Sequence, residues 1–124
     1  MEFGGVWRTD AEILPVQHVP VPPEWDFSHS RPVEGMGLDH CFDGWDGNAT
    51  VTWPSRGLRL VVAATEAFRH LVIYVPDGQR YFCVEPVSHV SDAIHGDPPA
   101  ALGLRTLQPG EPFEASMMLE VTAL

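Results

Sequence analysis

The segment Tyr81 to His89, YFCVEPVSH, places a carboxylate at the end of an apolar run and a proline directly behind it. Side chains alternate between faces in an extended strand, so Tyr81, Cys83 and Glu85 share one face, and Phe82 and Val84 the other. A carboxylate at the end of a mostly buried strand is expected to be partly desolvated. That is the condition under which a glutamate becomes a competent general base near neutral pH. Pro86 fixes the backbone just after Glu85 and helps hold its aim. The same pattern also describes a strand-end glutamate that points into solvent.

A second cluster lies at residues 37 to 47, GLDHCFDGWDG, with three aspartates (Asp39, Asp43, Asp46), His40 and Trp45. Sugars are held by carboxylates that bridge neighbouring hydroxyls and by aromatic faces that stack on ring C–H groups. Asp39, His40 and Trp45 are residues of those types. Asp43, Asp46 and Asn48 also offer oxygens to calcium, but their spacing departs from that of an EF-hand loop. An acidic turn between two strands is the plain alternative. The six histidines (His18, His29, His40, His70, His89, His95) form no H-x-H or H-x-x-x-H pair, and no Cys-x-x-Cys is present, so no metal site is expected. Most of these histidines are expected on the surface or in loops. Neither G-x-S-x-G nor a phosphate-cradling glycine loop occurs.

The elements that must position these groups read as short strands. Cys41-Phe42 runs into the turn cluster GWDGN, after which residues 49–53 alternate. Residues 58–65 and 71–75 are further strand candidates, the latter closed by the turn Pro76-Asp77-Gly78. Residues 81–85 follow, and residues 111–124 alternate as one last long strand. Five prolines within residues 15–32 predict an extended, irregular segment anchored by Val16, Val19, Val21, Trp25 and Phe27. No convincing helix is present, although residues 90–94 have the length of one turn. Strands at this spacing predict an all-β protein, a sandwich or barrel, as a single domain over residues 1–124.

The 124 residues suffice for one core, and 44% hydrophobic content fits a globular chain. Seventeen acidic residues against seven arginines and no lysine give a net charge of −10. This repels phosphate backbones and anionic headgroups, so neither nucleic acid nor a membrane surface is an expected partner. The missing lysines exclude lysine-amine chemistry. No apolar run reaches the roughly 18 residues of a membrane span, and the N-terminus lacks signal-peptide features. A cytoplasmic location is expected, with Cys41 and Cys83 as buried thiols.

The runs LDHCFDGWDG (residues 38–47) and FCVEPVSH (residues 82–89), in this order and separation, resemble the C-terminal half of bacterial aldose 1-epimerases, or galactose mutarotases. The ILP run before the proline-rich stretch and the last long strand fit as well, so the resemblance covers nearly all of residues 10–124. It implies an antiparallel β-sandwich of the supersandwich type and interconversion of the α and β anomers of a free hexose, with no cofactor. It implies Glu85 as general base on the anomeric hydroxyl and Asp39 as a binder of sugar hydroxyls. The family's acid, a histidine in an H-x-Y-F-N segment upstream, has no counterpart here, and His40 stands in a different motif. Half a sandwich exposes strand edges and an apolar face. A homo-oligomer, or a companion chain supplying the other half, is therefore expected. The alternative is a non-catalytic carbohydrate-binding module, or a structural half of an assembly.

Overall fold

A computed structural model describes residues 1–124. It contains eight strands: β1 (Gly5–Thr9), β2 (Pro15–Val19), β3 (Leu38–Asp43), β4 (Asn48–Trp53), β5 (Leu58–Ala64), β6 (His70–Val75), β7 (Cys83–Val87) and β8 (Met117–Ala123). Four single 3-10 turns complete the regular structure, and no α-helix forms. All strand pairs are antiparallel, in a five-stranded sheet of order β2-β1-β3-β6-β7 and a three-stranded sheet of order β4-β5-β8. The fold is the all-β sandwich that the strand pattern implies.

The core fills the space between the sheets. Val6, Leu38, Phe42, Leu71, Ile73 and Val75 point inward from the larger sheet, and Ala49 and Val62 meet them from the smaller one. Phe27 and Trp45 join from the connections. Each fully buried side chain of this kind contributes about 1.5–3 kcal/mol relative to exposure. Phe42, at the centre, lies against the rings of Phe3 (4.7 Å) and Phe27 (6.1 Å).

Turn chemistry fixes the hairpin that carries the acidic cluster. Gly44 (φ 62°) and Gly47 (φ 80°) take the left-handed conformations that β3–β4 requires. Between them Asp46 accepts a bond from the Asn48 amide at 3.0 Å, an Asx turn.

Several boundaries differ from the sequence-based reading. The proline-rich segment is not irregular throughout: it begins with β2, whose first residue, Pro15, sits where an edge strand tolerates proline. Strand β1, which the sequence pattern does not signal, pairs between β2 and β3. Strand β7 is shifted to Cys83–Val87 and contains Pro86. It is an edge strand, so the missing N–H removes no ladder bond on its open side. The last strand covers only residues 117–123, because its partner β5 ends at Ala64, opposite Met117. The single turn near residue 90 is a 3-10 turn at Ala93–His95.

Strand β8 has an uncovered face. Met117, Leu119 and Val121 pair with Ala64, Val62 and Leu60, and so share the core-facing side of the smaller sheet. They are nonetheless 54%, 62% and 65% exposed, because nothing of the larger sheet lies over them.

Candidate functional site

Register places the chemistry-bearing residues. Asp39 pairs with Tyr74, which pairs with Cys83; Cys41 pairs with Val72, which pairs with Glu85; Asp43 pairs with His70, which pairs with Val87. All nine side chains share the outer face of the larger sheet, opposite the core. Asp39 on β3 and Glu85 on β7 thus project from the same face, two strands apart and offset by one pair. Tyr74 on β6 stands next to Asp39 and diagonal to Glu85. Opposed Cβ atoms in such ladders are about 5 Å apart and diagonal ones about 7–8 Å.

Glu85, on the edge strand β7, is exposed, and the partial desolvation expected at the strand end is absent. Asp39 is half-buried and borders a hollow of about 20 Å³ with Trp7, Cys41 and Val72, room for one water. Partial burial raises the Cys83 thiol, and the neighbouring Glu85 carboxylate raises it further. Burial, aided by Asp43, pushes the Cys41 thiol up to about 12. Both cysteines are free; Cys41 is buried as expected, while Cys83 is only half so. Partial burial raises the Tyr74 phenol too, followed by Tyr81, whose ring centroid lies 6.3 Å away, and then by Asp39 and Cys83.

The other two residues singled out in the sequence do not join this face. His40 alternates with Asp39 and points inward, its ring 4.7 Å from that of Trp25 and its Nδ1 3.3 Å from Thr9 Oγ1. Burial holds its pKa below the usual histidine range; Asp39 opposes the shift and Arg8 adds to it. Trp45 is 2% exposed in the core, with Nε1 donating to the Asn48 carbonyl at 3.0 Å. Its ring offers no open face for stacking.

The outer face also carries a cluster that the sequence reading missed. Asp43 lies 2.8 Å from His18, and His70 stands opposite Asp43 in the ladder. His70 is buried at 7% exposure, not a surface or loop residue, and lies under Ser88 and Gly103. Asp43 Oδ1 and His70 Nδ1 are buried without hydrogen-bond partners. The one signal was the position of His70, directly before the apolar run LVIYV. No three His, Cys, Asp or Glu side chains converge in metal-binding geometry. The largest groove, about 1130 Å³, lies away from Glu85, between residues 65–67, 88–89 and 103–116.

Three carboxylates, Asp39, Asp43 and Glu85, thus project from one face of an all-β sandwich. The aldose 1-epimerase family profile matches residues 2–120, so the chain belongs to the aldose 1-epimerase family. It is similar to YphB, an uncharacterised Escherichia coli K12 protein: 31% identical over 108 residues, covering 82% of this chain and 37% of YphB. It is also similar to a solved Escherichia coli K12 structure assigned provisionally as an aldose 1-epimerase, with 28% identity and a TM-score of 0.79. That match covers 99% of this chain and 44% of the other. The chain therefore spans less than half the length of these relatives. No helix is long and apolar enough to cross a membrane.

Proposed function

We propose that this chain carries the base-bearing part of a sugar-anomer isomerase, acting on a free hexose by opening and reclosing its ring. The observation behind this reading is the shared face of Glu85 and Asp39. Glu85 accepts the proton of the anomeric hydroxyl, and Asp39 accepts hydrogen bonds from other ring hydroxyls. An exposed Glu85 is open to ligand, and ligand binding would itself remove water from the carboxylate. No cofactor enters the proposed reaction, and the free thiols fit a cytoplasmic setting.

A non-catalytic module or structural half is the second reading. The uncovered face of β8, together with a chain shorter than half of its relatives, favours it. In either reading the Met117, Leu119 and Val121 row is the surface on which a second copy, or a companion chain with the rest of the family fold, docks.

Anomer exchange tests the first reading. Freshly dissolved α-glucose and α-galactose are followed by polarimetry or NMR with the wild-type chain and with Glu85→Gln, against the uncatalysed reaction. Rate enhancement that disappears in Glu85→Gln supports the isomerase. Hexose binding without enhancement in either protein supports the module.

A further inference from the structure

We propose that the apolar row of β8 in one copy of this chain docks into the cleft along the free edge of β4 in the next copy, so that copies join head to tail. The proposal takes the docking role of the β8 row from the reading above. It does not depend on whether Glu85 turns over a sugar.

The two sheets are out of step. At one end the smaller sheet overhangs as β8, with Met117, Leu119 and Val121 on its core side and nothing of the larger sheet beneath them. At the other end the larger sheet overhangs. The smaller sheet stops at β4, an edge strand whose outward N–H and C=O groups have no ladder partner. A cleft of about 540 Å³ runs along this edge. Thr50 and Thr52 line it from one face of β4, Val51 and Trp53 from the other, which places it at the strand's edge and not over a face. Its floor is Ile73 of β6 and Val84 of β7, paired on the core side of the larger sheet, together with Phe82. The Phe82 ring stacks on Trp53 at 6.2 Å. The cleft lacks a strand that pairs with β4 and presents apolar side chains to that floor. The same chain carries such a strand, unpartnered, in β8.

The pairing direction follows from the sheet. Both β4 and β8 are antiparallel to β5, so they run the same way. When β8 of a second copy lies beside β4, its free edge faces β4 and its row faces Ile73 and Val84. Only one orientation satisfies both conditions: the two smaller sheets point the same way, and β8 pairs with β4 in parallel. The lengths match, at six residues for β4 and seven for β8. Met117, Leu119 and Val121 then reach the floor together, because alternate residues share a face. This is strand addition at a sheet edge, with backbone bonds for affinity and alternate side chains in an apolar cleft. The two joined surfaces differ, so every assembled pair still offers one free row and one free cleft. Such a contact repeats into a ring or an open chain. The net charge of −10 on each copy opposes association, and salt screens that repulsion.

The test is sedimentation of wild type, Leu119→Glu, Thr50→Arg and Phe82→Glu, alone and mixed, at low and at high salt. Matching circular dichroism spectra confirm folding. Thr50 is exposed, so Thr50→Arg blocks the cleft without touching the core and carries the test if Phe82→Glu fails to fold. Expected for wild type is a concentration-dependent series of dimers, trimers and larger species, strengthened by salt. Expected for each variant alone is a monomer. Leu119→Glu keeps its cleft and Thr50→Arg keeps its row, so their mixture is expected to give a one-to-one dimer and nothing larger. Thr50→Arg assembling like wild type overturns the proposal while the row keeps its docking role, as in β8 pairing with β8 about a two-fold axis. Variants that remain monomeric when mixed overturn it too. Wild type that is monomeric at every concentration overturns both the proposal and docking between copies, and leaves the two overhangs to a chain of different sequence.

Discussion

His18 Nε2 lies 2.8 Å from Asp43 Oδ2, a contact made over strand β1 at Gly5, which has no side chain to stand between them. A Cβ at Gly5 would sit 2.4 Å from His18 Nε2 and 2.9 Å from the Val19 carbonyl oxygen. The histidine can swing away, but the carbonyl belongs to the paired strand β2. Gly5→Ala is therefore expected to destabilise the protein by about 1–3 kcal/mol, through overpacking between β1 and β2. His18→Gln, which removes only a part-exposed contact, is expected to cost about 1 kcal/mol or less. Urea unfolding of the two variants checks the contrast, and equal effects would show that the His18–Asp43 contact matters as much as the packing.

The buried His70 predicts a direction of pH dependence. Burial lowers its pKa; Asp43 and the Ser88 backbone oppose the shift, and His89 adds to it. The unfolded chain takes up the proton near pH 6.5, the folded chain only at lower pH. Above that pH the residue is neutral in both states and has no effect. As pH falls below about 6.5 the unfolded state binds the proton first, so stability is lost. His40, lowered by burial as well, acts in the same sense. Unfolding free energy is expected to decline from pH 7 to 5.5, and His70→Asn to flatten that decline. An unchanged slope in the variant would remove His70 as its source.

Trp45 is expected to report on stability. Its ring is fully packed, and its indole N–H bonds the Asn48 carbonyl. Trp45→Ala is expected to cost about 3–5 kcal/mol, enough to unfold much of a chain this size. Trp45→Phe keeps most of the volume and is expected to cost less while leaving hexose affinity unchanged. Thermal unfolding and hexose titration of Trp45→Phe separate the core from any ligand contact.

The hairpins were legible where turn residues punctuate apolar runs, as at Gly44–Gly47 and Pro76–Gly78. Strand β1 was not, because GVWRT has no alternation of its own and acquires its place only by pairing with β2 and β3. The alternation of residues 111–116 promised strand that does not form, since β5 has run out by Ala64. Asp39 and Glu85 stood out by residue type and context. That they share a face depends on long-range register through β6, which no local pattern encodes. Trp45 stood in an acidic turn that gave no sign of its inward ring.

The row of Met117, Leu119 and Val121 predicts association. These side chains occupy the core side of their sheet and are more than half exposed on an edge strand with an unpaired backbone. Substituting one should scarcely affect folding of the isolated chain, within about 0.5 kcal/mol, since little packing is lost. The same change puts a charge where a partner must bury an apolar surface. Wild type is expected to sediment as a species larger than one chain at micromolar concentration, with a melting temperature that rises with concentration, and Leu119→Glu as a monomer whose melting temperature matches that of dilute wild type. Glu120 lies on the opposite face of β8, so Glu120→Gln serves as a control in which the docking row is intact. If Leu119→Glu melts many degrees below dilute, dissociated wild type, the row is packed within the chain and the docking surface lies elsewhere.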